Sequence, residues 1–294
     1  MIPPRTILSA VDFSETSRAA LIFAARLTRL CSAQLHVVHA EHPLLGAAAL
    51  HAGIDLARET RDELNTFVAG APPTAACAPQ LHTANGAAVD VVLELARQLR
   101  ADLIVVGGRG MSGAERLAFG STTEGLLRRS EVSVLVVPTA WTAPRQDTSD
   151  LSGVGPVIAG VDPADFPMAS MKAGCALATL LSTSLEVVHV VPHLPVLERW
   201  RAHAEAVVRE RVGLARQQMD SLVQELGCSV PVELRVEVGA VPERLAETGS
   251  TRDGRAPLIV LGKKARHSPG GAPGTIAYRV LSIADAPVLM HVGP

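Results

Sequence analysis

The chain repeats itself. Residues 7–15 read ILSAVDFSE and residues 157–165 read VIAGVDPAD, both apolar strand patterns that close on Val-Asp, with Asp12 and Asp162 separated by 150 positions. The next apolar segments are LHVVHA at 35–40 and LEVVHV at 185–190, which sets His39 and His189 at the same separation. DLIVVGG at 102–108 matches PLIVLGK at 257–263, and SVLVVP at 133–138 matches PVLMHV at 287–292. Matches in one order at a nearly constant offset mark a tandem duplication, so whatever fold the first half adopts must be adopted twice. The stretch 138–156, PTAWTAPRQDTSDLSGVGP, is rich in Pro, Ser, Thr and Gly and reads as the connection. The expected organisation is a first domain at 1–139, a linker at 140–155 and a second domain at 156–294.

Within each half, short Val/Ile/Leu runs alternate with helical periodicity. Ser14 can cap a helix over 14–30 whose apolar face carries Ala20, Phe23, Ala24, Leu27 and Leu30. Further helices are predicted over 53–70, 87–99 and 123–129, and a long amphipathic one over 196–226 with Trp200, Val207, Leu214, Met219 and Leu222. Each half therefore reads β-α-β-α-β-α-β-α-β. Continuous apolar strands belong to parallel sheets covered on both faces, and the crossovers are expected to be right-handed. The fold class is α/β, with two doubly wound, parallel five-stranded sheet domains. In such sheets ligands bind beyond the carboxyl ends of the strands at the switch in strand order, which directs attention to Asp12 after the first strand and to Gly107–Gly110 after the fourth.

Composition narrows the function. Hydrophobic residues make up 48% of the chain and aromatic ones 3%, so the core is aliphatic and platforms for stacking single-stranded nucleic acid are lacking. The formal net charge of −2 is spread without a basic stripe, which speaks against nucleic-acid binding. The apolar runs are far shorter than the ~20 residues that span a bilayer. The opening MIPPRTILSAVDF carries no cleavable signal pattern, so a cytoplasmic location is expected. Cys31, Cys77, Cys175 and Cys228 form no CxxC pair and are expected as small hydrophobes in or near the core, neither disulfide-bonded nor metal-bound.

The segment VVGGRGMSGAERLAFGST, residues 105–122, carries the chemistry. A Walker A loop would need lysine at position 114, which is Ala114. A dinucleotide fingerprint is spelled by Gly108, Gly110 and Gly113, but it follows the fourth strand instead of the first, Gly120 interrupts the helix it should open, and Glu131 precedes the next strand instead of ending it. A third pattern uses Gly107 and Gly110 as GxxG, nine further residues, then Gly120-Ser121-Thr122-Thr123 at a helix start. Glycines let backbone N–H groups turn toward an anion. A helix start offers unpaired N–H groups and a partial positive charge. Arg109 adds a cation, and Ser121 and Thr122 add hydroxyls. Asp12 can accept hydrogen bonds from an adenine amine or a ribose hydroxyl, or can simply cap the following helix.

This arrangement, together with VDFSE, VVHA, DLIVVGGRG and SVLVVP, closely resembles the universal stress protein family in its nucleotide-binding class, and the duplication is similar to the family's tandem members. The resemblance implies an adenine nucleotide alpha hydrolase-like fold, with the last strands of the two halves pairing antiparallel into an internal pseudo-dimer. It implies that Ala10, Val11, Asp12 and Ala40 line the base and ribose side, and that Val106, Gly107, Arg109, Gly110, Gly120, Ser121, Thr122 and Thr123 hold phosphates or sugar. The implied cofactor is ATP, which can bring Mg2+ with it. The implied role is that of a stress-response sensor or regulator acting on a protein partner that the sequence does not identify, and a homodimer of the whole chain is compatible with it.

The second copy departs from the pattern. Its loop reads LGKKARHSPGGAPGTIAYR: Gly262 matches Gly107, Ala265 stands where Gly110 should be, the spacer to Gly274-Thr275 is one residue short, and Pro163 follows Asp162. One competent nucleotide site and one degenerate one are expected, although Lys263, Lys264, Arg266 and His267 keep the second loop cationic. His36 and His39 stand three apart on a strand and face opposite sides, so no metal cluster is expected; His39 and His189 read as structural residues near strand ends. No catalytic constellation is legible; Glu115 could at most orient a water for slow ATP hydrolysis. A slow ATPase or dinucleotide-dependent oxidoreductase, and an interaction scaffold that binds no nucleotide, stand as the alternatives.

Overall fold

The computed structural model describes residues 3–108, 120–138, 141, 151, 154–165, 167–193, 200–250, 255–263 and 275–293. The chain divides into two compact units, one formed chiefly by Pro3–Gly153, the other chiefly by Val154–Ala265 and Pro273–Pro294.

Among the described residues of the first unit, five strands, β1 (Thr6–Ala10), β2 (Gln34–Glu41), β3 (Gln80–Asn85), β4 (Leu103–Gly107) and β5 (Ser133–Val137), lie in the order β3-β2-β1-β4-β5. Every adjacent pair in that order is parallel. β4 and β5 are buried along their whole length, as strands covered on both faces must be. The helices are α1 (Glu15–Cys31), α2 (Pro43–Ala52), α3 (Leu56–Ala69), α4 (Ala88–Leu99) and α5 (Ser121–Arg129).

Local chemistry explains the boundaries. Ser14 is the N-cap of α1, its side chain accepting the Ser17 N–H, and the helix closes on Ser32 in the left-handed conformation, whose N–H returns to the Arg29 and Thr28 carbonyls. Ala20, Phe23, Ala24 and Leu27 are buried as the periodicity requires, whereas Leu30, in the last turn, stands 43% exposed. The second crossover holds two helices where the alternation predicts one. Gly53, at φ +67, stops α2, and α3 starts only after Asp55 caps it by accepting the Arg58 N–H. Trp141, within the stretch expected to be a linker, is buried and packs edge-on against Phe23 of α1 with ring centroids 5.1 Å apart.

In the second unit β6 (Val154–Gly160), β7 (Leu185–Pro192), β8 (Val232–Gly239), β9 (Ala256–Lys263) and β10 (Val288–Val292) repeat the parallel order as β8-β7-β6-β9-β10. They alternate with α6 (Pro167–Leu180), α7 (Arg201–Leu226), α8 (Val241–Thr248) and α9 (Thr275–Ile283), the single-helix alternation the sequence predicts. The duplication reaches backbone detail: Ser182, 150 positions after Ser32, also takes a left-handed conformation, φ 52 against φ 53.

Two expectations fail here. Cys175 and Cys228 are joined in a disulfide, with Cα atoms 5.8 Å apart across a sequence separation of 53. The pairing joins α6 to the residue that follows the left-handed Gly227 at the end of α7, a juxtaposition that isolated cysteine spacing does not encode. The apolar face assigned to α7 is not wholly inward: Met219 and Ala215 are buried, while Trp200, Val207 and Leu214 are about half exposed. No helix among the described residues is long and apolar enough to cross a membrane.

Candidate functional site

The switch in strand order of the first unit lies between β1 and β4, and a cavity of about 230 Å3 opens there. Ala10, Val11, Asp12, Ala40, Val106, Gly107, Gly120, Ser121, Thr122 and Thr123 all line it. Arg109 and Gly110 lie outside the described residues, as do Glu115 and the rest of the segment 109–119. Ser17, Val38, His39, Ala88 and Val92 line the cavity as well and were not anticipated as site residues. Ala88 and Val92 stand one turn apart at the start of α4 and carried a detectable signal in that spacing; the remainder is set by topology.

The cavity has two chemically distinct sides. Val11, Val38, Ala40, Ala88, Val92 and Val106 form an apolar side. On the other, α5 begins at Gly120 with no side chain capping it, and its first intrahelical hydrogen bond runs from the Glu124 N–H to the Gly120 carbonyl. The N–H groups of Ser121, Thr122 and Thr123 therefore have no intrahelical acceptor, and the helix dipole puts partial positive charge there.

Asp12 is already at work in the turn. Its Oδ1 accepts the Ser14 N–H at 3.2 Å and the Ser14 hydroxyl at 2.6 Å, while Ser14 Oγ accepts the Ser17 N–H at 3.1 Å. Of the two roles open from sequence, the helix cap thus belongs to Ser14, and Asp12 orients that cap. Between them Phe13 adopts φ +65, an uncommon conformation for a bulky side chain, which turns the chain sharply from β1 into α1. Phe13 stacks on His39 with ring centroids 4.2 Å apart and meets Phe67 edge-on at 5.5 Å. His39 Nδ1 lies 2.9 Å from the Val11 carbonyl. A carbonyl only accepts, so Nδ1 carries the proton, and Nε2 of a neutral ring is left as an acceptor. His189 makes the same bond to the Val161 carbonyl at 3.0 Å in the second unit, so the structural role read for both histidines is seen in each copy.

The glycines have reasons of their own. A Cβ on Gly107 would come within 2.9 Å of the Thr16 carbonyl carbon and Cγ2, so the bare backbone of β4 is needed to seat α1. The Gly120 N–H donates to the Gly108 carbonyl at 3.2 Å, and the Thr123 hydroxyl donates to the Gly107 carbonyl at 2.8 Å. Thr123 is buried and its hydroxyl proton is engaged; it fixes the helix start against the strand end.

The corresponding place in the second unit is a larger cavity of about 670 Å3. Asp162, His189 and Gly262 line it as Asp12, His39 and Gly107 line the first. Asp162 Oδ1 accepts the Ala164 N–H at 3.0 Å, a counterpart of the Asp12–Ser14 bond. Lys264, Ala265, Arg266, His267 and Gly274 lie outside the described residues. Among the described residues no group of three or more His, Cys, Asp or Glu side chains could hold a metal ion.

The sequence pattern of the Universal stress protein family matches residues 4–138. Universal stress protein A homolog 1 of Coxiella burnetii is 31% identical over 136 residues, 45% of this chain and 94% of that protein. The crystal structure of a universal stress protein from Archaeoglobus fulgidus superimposes with a TM-score of 0.65 at 16% identity, covering 97% of each chain. That of a functionally unknown protein from Pseudomonas aeruginosa does so with a TM-score of 0.65 at 20% identity, covering 99% of this chain and 93% of the other. Identities this low speak to fold, and they extend the likeness over both halves; with a homologue at 31% identity spanned almost end to end, the chain belongs to the universal stress protein family.

Proposed function

We propose that the first unit binds an adenine nucleotide, ATP, in the crevice between β1 and β4, and that the chain works as a nucleotide-responsive regulator of a stress response without a dedicated catalytic constellation. The observation that carries the reading is the meeting, in one cavity, of an apolar side, Asp12, and the uncapped start of α5. Anions favour such helix starts because free N–H donors and the dipole act together. In this reading Val11, Val38, Ala40 and Val92 receive the base, Asp12 and the Nε2 acceptor of His39 face the base amine or ribose hydroxyls, and the N–H groups of Ser121–Thr123 with the Ser121 and Thr122 hydroxyls take phosphate. Gly107 and Thr123 serve as the frame. Arg109 and Gly110 complete the phosphate side. Mg2+ would enter with the nucleotide, since Asp12 is the sole carboxylate lining the cavity among the described residues. Phosphate binding would alter the surface presented to a protein partner, with the chain acting in the cytoplasm, alone or as a homodimer. The domains in this proposal are 1–139 and 156–294, joined by 140–155.

Calorimetric titration of the purified chain with ATP and, separately, with NAD tests the proposal. ATP binding without turnover that is lost in Gly110→Val and Gly120→Val, with the far-ultraviolet circular dichroism unchanged, is the expected result. Preference for NAD would point to the oxidoreductase, steady phosphate release to the ATPase, and absence of any nucleotide binding to the scaffold; each would overturn the proposal.

A further inference from the structure

Five wall positions of the second unit's cavity are remade as aliphatic side chains, beyond the loss of a glycine. Aligned on Gly120 and Gly274, Thr122 and Thr123 give way to Ile276 and Ala277; aligned on Gly86 and Gly239, Ala88 and Val92 give way to Val241 and Leu245; Ala40 becomes Val190. Each of these replacements lines the cavity. Of the hydroxyl side chains at the helix start only the Ser121 position keeps one, as Thr275, and the walls have gained aliphatic bulk, yet the space is about 670 Å3 against about 230 Å3 in the first unit. It falls within the ~300–1,000 Å3 typical of small-molecule sites. Decay alone does not predict a larger cavity in which these wall positions turn aliphatic.

One further wall comes from α7, which places Arg211, Leu214, Ala215 and Gln218 along one face at helical spacing. Leu214 and Ile276 line the cavity while remaining 54% and 47% exposed, apolar surface that a bound molecule would cover. Val190, Leu214, Val241, Leu245 and Ile276 give this cavity an aliphatic surface that suits a flexible aliphatic body. Arg211 is the cation of this lining and has no ion-pair partner among the described residues. Asp162 and Asp165 line the same space and repel a polyanion. A guanidinium pairs well with a single carboxylate.

We propose that the second unit binds a medium-chain aliphatic monocarboxylate, its chain among Val190, Leu214, Val241, Leu245 and Ile276 and its carboxylate on Arg211. The first unit's nucleotide reading is independent of this site.

The test titrates the full chain with hexanoate, octanoate and decanoate below their micellar concentrations, and with decanol. Each methylene should raise affinity about four-fold. Arg211→Gln should weaken decanoate about ten-fold and leave decanol unchanged. Leu214→Glu, at an exposed position, should weaken decanoate strongly without unfolding the chain. Saturating ATP should not displace decanoate. Affinity that is flat with chain length, equal loss of decanol and decanoate in Arg211→Gln, full binding in Leu214→Glu, or displacement by ATP would each overturn the proposal.

Discussion

The Thr123 hydroxyl donates to the Gly107 carbonyl across 2.8 Å, buried from solvent, and so fixes the start of α5 to the end of β4. The two parts that the nucleotide reading needs side by side are thereby held together without any ligand. Thr123→Val keeps the shape and removes the donor, leaving a buried carbonyl unpaired. The expected cost is about 1–3 kcal/mol in urea unfolding, with weakened ATP binding, and Thr123→Ser should restore both. If Val and Ser variants bind and unfold alike, the tether carries no positional role.

The turn at Phe13 separates the two copies. Phe13 stands at φ +65, which proline cannot adopt because its ring holds φ near −65°, and the second copy has Pro163 at the matching position. Phe13→Pro therefore forbids this backbone conformation and removes the stack on His39, whereas the Asp12–Ser14 bond has a counterpart across Pro163 and is compatible with proline. Loss of ATP binding together with a fall in stability of more than about 1 kcal/mol is expected, read by calorimetry and chemical denaturation. An unchanged ATP affinity would show that the strained turn is incidental.

Stability should also depend on pH through His36 and His82, whose ring nitrogens Nδ1 and Nε2 lie 2.9 Å apart. Burial lowers both pKa values, and for His36 the charge of His82 lowers it further. The unfolded chain takes up these protons near pH 6.5, the folded chain only at lower pH. In that window the unfolded state binds more protons, so the stabilisation is fully present above about pH 6.5 and is lost as pH falls through the lowered folded values. The urea midpoint should decline as pH falls below about 6.5, and less steeply in His82→Gln. A midpoint that holds or rises on acidification would contradict this linkage.

What the sequence discloses and what it hides divide along physical lines. The repeat, the parallel sheets and the strand-end position of Asp12 follow from periodicity and order, which are local properties of the chain. Ten of the site residues implied by the family resemblance line one cavity, because the motifs that carry it sit where strand order reverses. Contacts made through space were not legible. The reason for Gly107 is a helix carbonyl arriving from α1, the place of His39 in the cavity wall depends on its stack with Phe13, and the apolar cavity of the second unit needs α7 as a wall. The helix expected over 53–70 is α3, whereas α2 before it was not legible in the sequence, and left-handed Gly53 separates the two.

The cysteines give the last expectation. Cys175 on α6 and Cys228 just past α7 are bonded, whereas Cys31 and Cys77 are free. Disulfides persist in oxidising compartments; in a reducing one the same pair stands as neighbouring thiols that link on oxidation. The bond closes a separation of 53 residues containing β7 and α7, so its reduction releases a long loop of the unfolded chain from constraint. Reduction should lower stability by ~2–4 kcal/mol, and Cys175→Ser with Cys228→Ser should remove the response to reductant. In the oxidised protein, alkylation under native conditions should modify Cys77 before Cys31, whose thiol is pushed up to about 11 by burial, and neither Cys175 nor Cys228. The Cys77 thiol donates to the Ala25 carbonyl at 3.2 Å and is itself raised by burial, so its modification should be slow at neutral pH. Peptide mapping that finds Cys175 and Cys228 alkylated after mild oxidation would refute their juxtaposition, and with it the placement of the α7 C-terminus against α6.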